Sequence, residues 1–238
     1  MPHSAIFFDL DDTLFDHIHS TRVALASLVS EHECFRGVTL DEIEELHAEL
    51  LEKFHAQYLQ GRLSIDEARL LRFDSLFQRY GSQLAQEALE LVTQNYRRAY
   101  QSVRKPVAGS IALLTALKPH TQIVIVSNNA LQEQQGKLAA CGLAPFVDML
   151  VVSEEVGCTK PDPAIFEFAL RQVSCRAQEV VMIGDSWSAD IVGARGVGMQ
   201  AIWLNRRSVP CPDPTMATEI RAFEPLEPLL TLLNIPGH

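Results

Sequence analysis

Several things are scarce in this 238-residue sequence, and each shortage excludes something. Basic residues are outnumbered, 20 Lys and Arg against 30 Asp and Glu, for a formal charge of −10. Sequence-independent nucleic-acid binding and polybasic membrane anchoring both need clustered Lys and Arg, so neither is expected. The five cysteines, at 34, 141, 158, 175 and 211, are odd in number and widely spaced, with no Cys-x-x-Cys pair. That argues against a disulfide framework or a zinc site, and for a reducing, cytoplasmic setting. No stretch approaches the ~20 apolar residues that a membrane helix needs. Asp9, Asp11 and Asp12 interrupt the first apolar run and no basic segment precedes it, so no signal peptide is read there. What is present is ordinary for a globular protein: 47% apolar and 21% charged residues, in a chain long enough to bury a real core.

Four short apolar runs read as buried strands: Ala5-Ile6-Phe7-Phe8, Ile123-Val124-Ile125-Val126, Met149-Leu150-Val151-Val152 and Val180-Val181-Met182-Ile183. Met199 to Leu204 is a fifth. Helical patterns at 131–141, 163–173 and 188–195 separate the later ones, which predicts right-handed βαβ units and a doubly wound parallel sheet, an α/β fold. Asp162-Pro163 is a helix start, Asp as N-cap and Pro at the first helical position. Residues 16–101 differ. They lack strand-like runs and carry apolar residues at helical spacing, for example Leu40, Ile43, Leu46, Leu50, Leu51 and Phe54. Breaks near Arg36-Gly37, Gly61 and Gly81 divide them into about four helices. The reading is a discontinuous α/β core, 1–15 and 102–238, with an inserted α-helical domain, 16–101, packed over it. Pro210 to Pro214 reads as a loop before a last strand and a helix at 225–233.

Polar clusters follow the strands. Asp9-Leu10-Asp11-Asp12-Thr13 follows the first, Ser127-Asn128-Asn129 the second, Lys160-Pro161-Asp162 the third after a short loop, and Gly184-Asp185-Ser186 the fourth, with Asp190 five residues beyond Asp185. In an open parallel sheet the carboxyl ends of the strands share one edge, where ligands bind. The four clusters are therefore expected in one crevice. Two carboxylates ~4 Å apart repel by about 4 kcal/mol at an effective dielectric near 20. A phosphate dianion beside Asp9, Asp11 and Asp185 would add to that repulsion, and a hard divalent cation such as magnesium would relieve it. Lys160 adds a point charge, and Ser127 and nearby N–H groups offer donors to phosphate oxygens. A carboxylate nucleophile, a metal, a lysine and a hydroxyl together suit phosphoryl transfer through an aspartyl-phosphate.

Asp9-Leu10-Asp11-Asp12-Thr13-Leu14, Ser127, Lys160 and Gly184-Asp185-Ser186-Trp187-Ser188-Ala189-Asp190 resemble, in order, the four motifs of the haloacid dehalogenase-like hydrolase superfamily. A helical insertion directly after the first motif is that family's type 1 cap. The resemblance implies a Rossmann-like core and a phosphatase. Asp9 would be nucleophile and metal ligand, and Asp11 the general acid and base, lending its backbone carbonyl to the metal. Ser127 and Lys160 would hold the phosphoryl group and the nucleophile. Asp185 would bind magnesium, supported by Asp190 through water or Lys160. Asp12 and Ser127-Asn128-Asn129 are similar to the nucleotidase and sugar-phosphatase branches, although Asn129 stands where Gly is frequent. The implied substrate is a small phosphorylated metabolite, a nucleoside monophosphate or a sugar or acid phosphate. A phosphoryl-transferring mutase would keep the same residues, and a phospho-acceptor signalling module would share their types.

Other residues invite readings that their setting disfavours. His17 and His19 lie two apart, so they do not face each other on a helix, and solvation or packing is expected of them. Cys158, close to Lys160, reads as a small packed side chain. Gly193, Gly196 and Gly198 mimic a dinucleotide fingerprint, but they follow a helix and precede a strand, the reverse of the order that binds phosphate.

Overall fold

The computed structural model describes residues 3–235. The chain divides into two compact units, Met1–Asp16 with Lys105–His238, and His17–Arg104.

The first unit is built on β1 (Ala5–Phe8), and the second unit supplies α1 (His17–Glu31), α2 (Leu40–Leu59), α3 (Ile65–Arg79) and α4 (Gln86–Ser102) before the chain returns. There follow α5 (Ser110–Leu117), β2 (Gln122–Ser127), α6 (Leu131–Ala140), β3 (Met149–Val152), α7 (Ser153–Val156), α8 (Pro163–Gln172), β4 (Val180–Gly184), α9 (Gly193–Gly196), β5 (Gln200–Leu204), β6 (Thr218–Ile220) and α10 (Leu226–Leu232). The six strands form one sheet, ordered β3-β2-β1-β4-β5-β6, with every pairing parallel. β1 is central, with Phe8 beside Ile125 and Ile183, so Asp9, Ser127 and Asp185 leave neighbouring strands at the same edge. All four residues of β1 are buried, as a strand covered on both faces requires.

The helix expected at 188–195 is a π-helical turn, Trp187–Val192, followed by the short α9. Ser186 caps it, its hydroxyl accepting from the Ala189 N–H and its carbonyl from Asp190 N–H at 2.9 Å. The widened turn swings Asp190 back over the strand end, and such turns gather at functional sites. Gly184 permits this approach, because a Cβ there would collide with the Asp190 carboxylate. Asp162 caps α8 by accepting from Ala164 N–H, and Pro163 occupies the first helical position.

The helical unit is specified locally. Thr39 with Glu42 and Ser64 with Glu67 form two complete capping boxes at the starts of α2 and α3. The breaks at Gly61 and Gly81 fall in left-handed backbone, which a side chain would disfavour. Leu25, Phe35, Ile43, Phe73, Leu76, Phe77 and Tyr96 pack its interior. Within that interior lie two polar side chains, His47 at 1% exposure and Arg72 at 9%. His47 tilts against the Phe73 and Tyr96 rings at 5.9 and 5.4 Å, and the Arg72 guanidinium lies 5.1 and 5.8 Å from the same two rings. Burial holds the His47 imidazole well below its ordinary value, helped by the nearby charges of Arg72 and His17. A cation over a ring contributes roughly 0.5–2 kcal/mol. Burying an ion costs several kcal/mol, so the rings do not offset it.

Candidate active site

The loop after β1 is tight. Asp12 N–H donates to the Phe15 carbonyl at 2.7 Å, and Leu14 and Phe15 both return to the Leu10 carbonyl. Asp12 takes φ 61°, a left-handed position that Asp tolerates better than most residues. Its carboxylate lies 3.7 Å from Arg206, which also pairs with Asp16 at 3.0 Å, so Asp12 braces the loop.

Lys160 sits at 4% exposure, with its ammonium 2.7 Å from Asp9 and 2.6 Å from Asp190. Asn128 fixes the lysine's backbone from both sides: its carboxamide oxygen accepts from Lys160 N–H at 2.7 Å, and its amide donates to the Lys160 carbonyl at 2.9 Å. Burial works against the Lys160 charge, yet Asp190 and Asp9 outweigh it and raise the lysine above its ordinary range. The other oxygen of Asp190 accepts from Ser186 N–H at 3.0 Å.

Asp9, Asp185 and Asp190 place one carboxylate oxygen each within 4.8 Å of one another, a group that could hold a metal ion. Asp190, engaged at both oxygens, is better placed as counter-ion to Lys160 than as a ligand. Asp185 receives Thr13: the hydroxyl lies 3.4 Å from its carboxylate, and its own N–H donates to that hydroxyl at 3.1 Å. Three carboxylates share one ammonium. Desolvation, then the charges of Asp190 and Asp11 working against the pull of Lys160, pushes Asp9 up to about 7. Desolvation, then Asp9, Asp190 and Asp12, pushes Asp185 up to about 9. These oxygens fit a hard divalent cation, because such an ion restores the charges that burial disfavours.

Asp11 is oriented differently. Its carboxylate oxygens accept from Lys137 at 2.5 and 2.8 Å, and one also accepts from Gln134 at 3.0 Å. Lys137 is 3% exposed, with its ammonium 5.3 Å from the centre of the Phe15 ring. The same Gln134 amide donates to the Ser127 hydroxyl at 2.5 Å. Sequence reasoning missed Gln134 and Lys137. Their signal lay in α6: residues three apart share a helix face, and these two, with Leu138, are that helix's buried residues. A lysine and a glutamine on a buried face need partners in the interior.

Of the expected crevice residues, Asp9, Asn128, Lys160, Asp185 and Asp190 are thus joined by direct contacts or by the carboxylate group, and Asp11 and Ser127 are joined to each other through Gln134. His17 and Cys158 have other contacts. His17 bonds to the Tyr100 hydroxyl at 2.8 Å within the helical unit, and Cys158 packs against the core around Ile165 and Phe166. Among the described residues, the carboxylate group is the one set of three acidic, His or Cys side chains close enough together to hold a metal ion.

Carboxylates at the carboxyl edge of a parallel sheet, a buried lysine between two of them and a hydroxyl on the next strand lie where α/β proteins of this kind bind ligands. The chain belongs to the haloacid dehalogenase-like hydrolases, whose family model matches residues 3–198. It is 27% identical to the HAD-hydrolase YfnB of Bacillus subtilis (strain 168), over 98% of this chain and 97% of that one. The crystal structure of YfnB bound to magnesium superposes with a TM-score of 0.80, covering 99% of this chain and 100% of that one. The pyrimidine 5'-nucleotidase YjjG of Escherichia coli (strain K12) is 28% identical, over 94% of this chain and 96% of YjjG. A glyceraldehyde 3-phosphate phosphatase of Methanothermobacter thermautotrophicus is 30% identical, over 84% of this chain and 85% of the phosphatase.

Proposed function

We propose that this protein hydrolyses a small phosphomonoester through a phosphorylated Asp9, with magnesium as its metal. The observation that carries the proposal is the pair of separate charge arrangements around two aspartates two residues apart. Asp9 is held by Lys160 beside Asp185. Asp11 is held by Lys137 and Gln134. Hydrolysis needs two carboxylates with different tasks, and this geometry keeps them distinct.

In the first step an Asp9 oxygen bonds to phosphorus, the ester P–O bond breaks, and Asp11 gives a proton to the leaving oxygen. In the second, water bonds to phosphorus, Asp11 takes its proton, and the bond from phosphorus to Asp9 breaks, releasing inorganic phosphate. Lys160 orients Asp9 and meets phosphoryl charge, Ser127 donates to a phosphoryl oxygen, and Lys137 and Gln134 fix the direction of Asp11. Asp9, the Asp11 backbone carbonyl and Asp185 would hold magnesium, which when bound neutralises carboxylate and phosphate charge. Asp190 supports Lys160. Relatives named as a pyrimidine 5'-nucleotidase and a glyceraldehyde 3-phosphate phosphatase support a nucleoside monophosphate or a sugar or acid phosphate as substrate. The helical insertion is proposed as the cap that selects among them. Five free thiols suit a reducing, cytoplasmic compartment.

The test is reaction with an activated phosphoryl donor followed by intact mass. Wild type and Asp11→Asn should gain one phosphoryl group, and Asp9→Asn none. Asp11→Asn should lower turnover of alkyl phosphates by about 10²–10⁴. Turnover retained by Asp9→Asn would end the proposal.

A further inference from the structure

The helical unit holds a charge that the proposed chemistry does not use. Arg72 belongs to α3 and forms no hydrogen bond or ion pair among the described residues; its buried Nε has no partner. His47, on α2, is unpartnered at both ring nitrogens. The two converge on one place, since both rest on the rings of Phe73 and Tyr96. The groups that act on the Arg72 charge are the phenols of Tyr96 and Tyr100, and no carboxylate is among them. On the same helix Asp66 pairs with Arg69 at 2.9 Å, Glu67 closes the capping box of Ser64 and Asp74 accepts from Gln78 at 2.8 Å, so the acids of α3 are engaged elsewhere.

A guanidinium and an imidazole buried together without an acid make a dry, positive, donor-rich spot. The two cation–ring contacts are too weak to balance its desolvation. If Arg72 were only filling space, an apolar side chain of similar size would serve as well or better. The planar fork of a guanidinium matches a carboxylate or a phosphate, and the unpartnered nitrogens supply the donors such a group takes. Arg72 keeps 9% of its surface accessible and His47 1%, so an ion would enter from the arginine's side.

We propose that Arg72 and His47 form an oxyanion-binding site within the helical unit, taking a phosphate or carboxylate group of a small molecule. The site does not depend on the activity assigned to Asp9, and its test does not use turnover.

The full chain, labelled with ¹⁵N-arginine, is titrated with sodium sulfate at ionic strength held constant with sodium chloride, and the Nε–Hε signals are followed. The Arg72 signal is assigned by its loss in Arg72→Lys, or by triple-resonance experiments on wild type should that variant fail to fold. It should shift saturably with sulfate and stay unmoved by chloride. A phosphorylated carboxylic acid that saturates the same signal at lower concentration marks the occupant as a group on a metabolite. Saturation no earlier than with sulfate marks it as a free ion. A parallel thermal melt should show sulfate raising Tm beyond chloride by more in wild type than in Arg72→Met, since the general stabilising effect of sulfate is common to both. An Arg72 signal unmoved by sulfate, or one that drifts linearly as with chloride, overturns the site.

Discussion

Both units bury cations, but they treat them oppositely. In the α/β unit, Lys160 meets Asp9 and Asp190, and Lys137 meets Asp11. In the helical unit, Arg72 and His47 have no acidic partner among the described residues and rest on aromatic rings. The difference separates two kinds of site. Charges matched within the chain are preorganised, with their desolvation met before any ligand arrives. An unmatched charge leaves that compensation to a ligand.

The largest effects should come from breaking the matched side. Asp190→Asn removes one of the two counter-ions of Lys160 at a fully buried position, and should cost about 3–5 kcal/mol of stability in denaturant unfolding. An unchanged midpoint would mean that Asp9 alone suffices. Next, Lys137→Met removes a charge-assisted bond of roughly 1.5–3 kcal/mol from Asp11. It should lower kcat on alkyl phosphates about ten- to a hundredfold, with KM little changed. Adding Lys137→Met to Asp11→Asn should then do almost nothing further, because the lysine acts through that carboxylate. Additive losses would instead mean that Lys137 acts elsewhere.

A smaller effect concerns protons rather than rates. Burial and their neighbours push Asp9 up to about 7 and Asp185 up to about 9, so the pair holds protons near neutral pH. A divalent cation held by both needs them ionised, so magnesium binding should release protons, read by titration calorimetry in two buffers of different ionisation enthalpy. Apparent affinity should rise with pH up to about 9 and then level. Binding without proton release would show that the ion does not use these carboxylates.

The smallest effect tests the unmatched side. Burial holds His47 below its ordinary value of 6.5, so the unfolded chain takes up its proton first as pH falls. Stability is therefore full above pH 6.5 and is lost as pH falls below it towards the depressed folded value. The slope is at most ~1.4 kcal/mol per pH unit. His47→Gln should flatten that slope, and an unchanged slope would mean that His47 does not contribute to it.

Several features were legible because they repeat or punctuate. β1 to β5 are apolar runs bounded by polar residues, and buried parallel strands read that way. The four helices of the insertion announced themselves by spacing and by their glycine breaks. The resemblance rested on residues at strand ends, and Asp9, Ser127, Lys160 and Asp185 do meet at one edge. Less was visible where packing overrides pattern. α5 and α7, only eight and four residues long, gave no periodic signal. The π-helical turn at 187–192 looks like ordinary helix in sequence, and its widening comes from the Ser186 and Asp190 bonds.

By itself the sequence determined the class of fold and the residue types of the site, since hydrophobic period and strand-end chemistry are local properties of the chain. Tertiary structure decided the pairings. Asp11 with Lys137 spans 126 positions, and Asp9 with Lys160 spans 151. Nothing near Arg72 in sequence shows that the acids of its own helix, Asp66, Glu67 and Asp74, are engaged with Arg69, Ser64 and Gln78. Which charge lies beside which depends on distances set by packing, and Coulomb energy follows distance through space rather than along the chain.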